Sequence, residues 1–120
     1  MRPAWDETWY AVAETMAQRA TCPRASVGAV IVRDNHLIST GYNGAIKNSP
    51  HCTDIGCDIQ DGHCQRAIHA EVNAVADAAR RGVSLEGAKL YLYSSPDQPP
   101  CRECQEVLRA AGVWWEFEVC

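Results

Sequence analysis

The sequence predicts a three-layer α-β-α fold, a mixed central sheet with helices on both sides, and three observations support this. Several segments read as helix, and short runs rich in β-branched and aromatic residues lie between them. The two kinds of segment interleave in the order α-β-β-α-β-α-β, which calls for a sheet flanked by helices. At 120 residues and 47% hydrophobic content the chain can fill one core and not two, so residues 1–120 are read as a single domain.

From about Trp5 to Ala20, Trp5, Trp9, Val12, Ala13, Met16 and Ala20 recur at three- and four-residue spacing, with Asp6, Glu7 and Glu14 among them. This is an amphipathic helix whose tryptophans serve packing, and Pro23 is expected to end it. Val27 to Val32 is a nearly unbroken apolar run, as a strand buried on both faces requires. Arg33 to His36 is polar and turn-like, and Leu37 to Tyr42 returns as the hairpin partner before Asn43-Gly44 punctuates its end. His36 at that turn reads as a solvated side chain. From about Ala45 to Gln65 no periodicity appears, and a loop of that length is more often functional or metal-organised than idle. About His69 to Arg81 is alanine-rich and helical, with Gly82 stopping it. Leu90 to Tyr93 is a strand, Ser94 to Pro99 a proline-rich loop, Cys101 to Ala111 a helix closed by Gly112, and Val113 to Val119 a last strand.

The net charge is −4 and no Lys/Arg run occurs, which favours a small-molecule partner over nucleic acid. No apolar run reaches the length of a membrane span and the N-terminus lacks a signal-peptide core, so a cytoplasmic protein is expected. In that compartment seven cysteines are better read as metal ligands than as a disulfide framework.

The chemistry concentrates in His69-Ala70-Glu71 and Pro100-Cys101-Arg102-Glu103-Cys104. One imidazole and two thiolates fill three positions of a tetrahedral zinc site and leave the fourth for water, the pattern of catalytic rather than structural zinc. Glu71, two residues from His69, is placed to carry protons for that water. Alone, His-x-Glu is common by chance. A lone Cys-x-x-Cys could equally be a redox pair, half of a structural zinc site or two buried thiols. Together, in this order and with Pro100 directly before Cys101, they match the signature of zinc-dependent nucleobase deaminases. Both segments open helices, whose N–H groups favour thiolates and hydroxide.

The match extends further. Trp5-Asp6-Glu7, the Cys22-to-Val32 run, Ser39-Thr40-Gly41-Tyr42-Asn43-Gly44, His51-Cys52, Gly56-Cys57, Cys64-Gln65-Arg66 and His69 to Ala74 fit one group. From about residue 3 to residue 116 the chain resembles the deoxycytidylate deaminase family, a branch of the cytidine deaminase-like fold. The GYNG and HAE-x-N motifs are the features closest to this branch. The resemblance implies hydrolysis of dCMP to dUMP and ammonia, with zinc on His69, Cys101 and Cys104 and Glu71 as the proton carrier.

It further implies that Asn43 bonds the sugar 3′-hydroxyl, although Asn43 can also be read as a turn residue before Gly44. Ala70 would offer its N–H to the base carbonyl, and Val27 would line the substrate site. Arg24, Arg66 and Lys47 are candidates for the 5′-phosphate, or else solvated surface charges. Cys22, Cys52, Cys57 and Cys64 could close a second, structural zinc site, with His51 or His63 as substitutes; the alternative is free buried thiols. Family resemblance also implies a homo-oligomer, a hexamer or dimer, and admits regulation by a nucleoside triphosphate carried with Mg.

Three departures stand out. Ile46 and Asn48 replace the usual Pro and Gly, the loop before Pro100 is longer than usual, and the chain stops at Cys120, lacking the family's usual C-terminal strand and helix. The rival readings are a deaminase of another cytosine nucleoside or nucleotide, and a catalytically silent zinc-binding module. Glu71, which zinc binding does not need, speaks against the second.

Overall fold

The computed structural model describes residues 1–21, 25–44, 59–60, 63–64, 69–95 and 101–116. In chain order the elements are α1 (Trp5–Ala17), β1 (Ser26–Arg33), β2 (His36–Tyr42), β3 (Ile59–Gln60), β4 (His63–Cys64), α2 (Ala70–Arg81), β5 (Lys89–Ser95) and α3 (Arg102–Ala110). β1 lies between β2 and β5 and is antiparallel to both. The sheet among the described residues is thus antiparallel throughout rather than mixed as expected, and residues 113–116 form no strand. Trp114 makes only an isolated parallel bridge with Lys89, donating to the Ala88 carbonyl at 3.0 Å and accepting from Leu90 N–H at 2.8 Å. Residues 117–119 of the expected last strand lie outside the described residues.

Three further expectations need correction. α1 stops at Ala17, capped through Gln18 N–H, so it ends several residues before Pro23 and not because of it. The segment after Gly44 is not wholly without strand, because Ile59 pairs with Cys64 and Gln60 with His63 in a minimal antiparallel hairpin. Two-residue strands carry no readable periodicity. His69 and Cys101 are N-caps rather than first-turn residues, with extended backbone (φ −64°, ψ 149° and φ −67°, ψ 163°). The β1–β2 turn is as expected: Asp34 and Asn35 both take positive φ (54° and 58°), the requirement of the two-residue turn that matches strand twist.

Strand alternation divides the core into two faces. Ala29, Ile31, Leu90 and Leu92 face Ala70, Ala74, Ala78 and Leu108, the inward stripes of α2 and α3. Val30, Val32 and Tyr91 face Ala13 of α1, with Trp9, Tyr10, Val12 and Met16 packed around them. β1 is therefore covered on both sides, which accounts for its continuous apolar sequence. Tyr91 O–H donates to Asp6 at 2.5 Å and ties the start of α1 to β5; this bond, more than the nearby Lys89, holds the Asp6 carboxyl below the usual carboxylate range.

α2 approaches β2 more closely than side chains would allow. A methyl group at Gly41 would overlap the Ala70 carbonyl oxygen and sit 2.6 Å from the Ala74 amide nitrogen. Polar fasteners run along the same seam. Ser39 O–H donates to the Ala74 carbonyl at 2.5 Å, and Arg81 donates to the Ile38 carbonyl at 2.6 Å. The β1–β2 register slips between Ile31 and Val32, leaving Ile38 without a cross-strand partner, and Arg81 uses the carbonyl at that irregularity. Gly28 performs the matching service for α1, whose Ala17 amide nitrogen would lie 2.6 Å from an added Cβ. Among the described residues no helix is long and apolar enough to cross a membrane.

Both close approaches are testable. Gly41→Ala and Gly28→Ala are each expected to destabilise the chain by about 1–3 kcal/mol through overpacking, read from urea denaturation. An unchanged midpoint for Gly41→Ala would contradict the seam.

Candidate active site

The packing of α2 beside α3 brings two helix starts together. His69 caps α2, Glu71 lies in its first turn, Cys101 caps α3 and Cys104 lies in its first turn. Neither cap side chain bonds its own helix, so both remain directed to other work. His69 Nδ1 lies 3.2 Å from Cys104 Sγ and 3.5 Å from Cys101 Sγ, and the three donor atoms fall within 4.8 Å of one another. A tetrahedral zinc with ordinary Zn–N and Zn–S bonds would set neighbouring N and S ligands about 3.6 Å apart. The donor set has the size and chemistry of a zinc shell.

Glu71 is 4% exposed. Burial pushes its carboxyl above the usual range, against weaker opposition from its own backbone N–H, from His69 and from a hydrogen bond with Cys104. Burial likewise pushes the Cys104 thiol strongly up, and the Glu71 carboxylate and Cys101 push in the same direction. Anion-forming groups this close resist ionising together, and a cation among them relieves that conflict. This clustering agrees with the metal-binding reading that the distances support.

The remaining predicted residues separate into two groups. Asn43 is 8% exposed; its Oδ1 accepts from Val27 N–H and its Nδ2 donates to the Ala25 carbonyl, both at 2.8 Å. Asn43 and Val27 are thus brought together, with Asn43 bracing the entry of β1. An amide offers two N–H donors and two acceptor lone pairs, so these bonds account for one of each. Ala70 is fully buried at the first position of α2, where N–H groups have no acceptor within the helix. Arg24, Arg66, Lys47, Cys22, Cys52, Cys57 and His51 lie outside the described residues, and Cys64 and His63 are described only as members of β4. The four-cysteine zinc and the phosphate contacts therefore fall outside what the structure describes.

Sequence reasoning passed over three residues that build the site. Gly41 and Ser39 set the α2–β2 seam, and Asn73 donates from α2 to the Tyr42 carbonyl at 2.8 Å. Their signal lies in the Ser39-to-Gly44 and His69-to-Ala74 runs, within which the sequence suggests roles for Asn43, His69, Ala70 and Glu71 alone.

Residues 3–115 match the family described as the cytidine and deoxycytidylate deaminase zinc-binding region. The chain is 43% identical over 112 residues to ComE operon protein 2 of Bacillus subtilis, covering 93% of this chain and 57% of that relative's length. It is 35% identical over 123 residues to the deoxycytidylate deaminase of Mycobacterium phage D29, covering 93% of this chain and 91% of the phage protein. Among solved structures, dCMP deaminase of cyanophage S-TIM5, in complex with dCMP and dUMP, superposes with a TM-score of 0.77 at 28% identity over 96% of this chain and 82% of its own. The fold is the cytidine deaminase-like one, as the neighbouring structures show. With a family match running through nearly the whole length, this chain belongs to the cytidine and deoxycytidylate deaminase zinc-binding family.

Proposed function

We propose that the chain is, as one domain, a zinc-dependent hydrolase that converts dCMP and water to dUMP and ammonia. The observation that carries the reading is the buried Glu71 carboxyl set against the His69–Cys101–Cys104 donor cluster. A module that only bound zinc would have no use for a raised, buried carboxyl at that place. The substrate is argued from likeness: the phage D29 relative matches over nearly its full length and carries the name deoxycytidylate deaminase. The S-TIM5 neighbour was solved with dCMP and dUMP.

His69, Cys101 and Cys104 would hold the zinc. When bound, zinc would make a water acidic enough to act as nucleophile near neutral pH. Glu71 would accept one proton of the attacking water and give it to N3 as the bond from oxygen to C4 of cytosine forms. It would then take the second proton, from the new hydroxyl on C4, and give it to the amino group as the C4–N bond breaks, so that one water is consumed and one ammonia leaves. A carboxyl raised by burial suits this work, because its two forms lie closer in energy at the operating pH. The Ala70 N–H is assigned to the base carbonyl and Asn43, beside Val27, to the sugar 3′-hydroxyl. Arg24 and Arg66 are assigned to the 5′-phosphate. Cys22, Cys52, Cys57 and Cys64 are assigned to a structural zinc, and the working form to a homo-oligomer.

Two outcomes are expected of substitution. Glu71→Gln keeps its zinc, by metal analysis, while kcat for ammonia release from dCMP falls by about 10²–10⁴, the usual share of a general acid–base. A near-normal rate would remove Glu71 from the mechanism. Cys104→Ser loses zinc on dialysis that leaves the parent loaded. A parent protein that releases ammonia from CMP, dCTP or deoxycytidine instead of dCMP would keep the chemistry and change the substrate. Silence on all four with zinc bound would end the enzymatic reading.

A further inference from the structure

Asn73 sits one half-turn beyond Glu71 on α2, and its own N–H closes the first turn on the His69 carbonyl at 2.9 Å. Its side-chain Nδ2 donates to the Tyr42 carbonyl at 2.8 Å and lies 3.5 Å from the Gly44 carbonyl. With two carbonyl oxygens as neighbours, the amide nitrogen must be the end that faces them. These carbonyls bracket Asn43. Asn43 is gripped in turn by β1: its N–H donates to the Val27 carbonyl at 3.3 Å, and its side chain bonds Val27 N–H and the Ala25 carbonyl. One asparagine therefore spans from the helix turn bearing His69 and Glu71 to the strand end bearing Asn43. The flush contact at Gly41 fixes the gap it spans, because the helix cannot move inward to compensate.

We propose that Asn73 is a positioning residue for specificity. By holding the Tyr42–Gly44 carbonyls to α2, it sets the place of Asn43 relative to the carbon under attack, and so governs recognition of the sugar 3′-hydroxyl without touching the sugar. This rests on reading the chain as a cytosine nucleotide deaminase in which Asn43 meets the sugar. It also explains why the GYNG and HAE-x-N motifs occur in one chain: the last residue of the second holds the backbone of the first.

Asn73→Asp keeps the shape and turns an acceptor toward two acceptors. Asn73→Ser is shorter, uncharged and unable to reach, and serves if the first fails to fold. In the full, zinc-loaded chain, kcat/KM is measured for dCMP and for its 2′,3′-dideoxy analogue, which lacks the 3′-hydroxyl, alongside amide hydrogen exchange. The expected result is a fall of about fivefold or more in the ratio of dCMP to dideoxy analogue, the scale of one lost hydrogen bond, with bound zinc unchanged. Exchange at Val27 and Asn43 is expected to quicken by a similar factor while Ile31 and Leu90 stay as in the parent. A ratio that holds constant while both rates fall together overturns the proposal, since loss of folded enzyme lowers both equally. If the parent deaminates neither nucleotide, the functional reading has failed and so has the specificity role. Exchange then decides the brace alone: quickening confined to Val27 and Asn43 supports it, and unchanged or uniformly faster exchange overturns it.

Discussion

The contact on which the rest depends is the laying of α2's first turns directly on the backbone of β2 at Gly41. Helices pack at ordinary distance when side chains interdigitate; here there is none on the strand and only the methyls of Ala70, Ala74 and Ala78 on the helix. Small residues bury little apolar area, so such a seam gains less from the hydrophobic effect than one built on leucine. Side-chain-to-backbone hydrogen bonds from Ser39, Asn73 and Arg81 supply part of the difference, each contributing about 0.5–1.5 kcal/mol. Their directionality matters as much as their strength. Apolar packing tolerates sliding, whereas three donors on three fixed carbonyls set the helix's position along the strand.

That precision serves the helix start. His69 and Cys101 occupy N-cap positions where Ser, Thr, Asp or Asn would stabilise a helix, and neither bonds its own helix. Forgoing such a cap costs about 1 kcal/mol at each site. The fold accepts a second burden as well. The Glu71 carboxyl and the Cys104 thiol are both buried, which raises both, and the Glu71 carboxylate further opposes ionisation of Cys104, a conflict that a cation among them removes. A site that is unfavourable without its ion and relieved by it couples metal binding to local stability. The scaffold that bears these costs is the doubly covered β1 and the inward stripe of α3, where Cys104 and Leu108 lie one turn apart.

Much of this was legible because it repeats a simple period. The continuous apolar run of β1, the alternation in β5 and the spaced alanines of α2 each state which face is buried. His69, Glu71, Cys101 and Cys104 were legible for a different reason, since metal chemistry restricts residue type and spacing together. What escaped were features that depend on distance between elements far apart in sequence. Nothing local marks Gly41 as a contact for Ala70, or Asn73 as a donor to Tyr42. Helix ends were misplaced because His69 and Cys101 sit at N-caps without the Ser, Thr, Asp or Asn that marks such a position, and α1 ends before the proline that was expected to end it. Asn43 shows the limit most clearly: its motif spoke of substrate, while its side-chain bonds in the structure go to β1.

The proposed function stands on two helix starts converging to hold one zinc beside Glu71. Crystals of the zinc-replete protein, with anomalous diffraction recorded on both sides of the zinc absorption edge, test it most directly. A zinc peak is expected among His69 Nδ1, Cys101 Sγ and Cys104 Sγ, with the Glu71 carboxyl adjacent. A zinc-replete crystal with no peak there, or with the Cys101 and Cys104 sulfurs turned away from the metal, would contradict it.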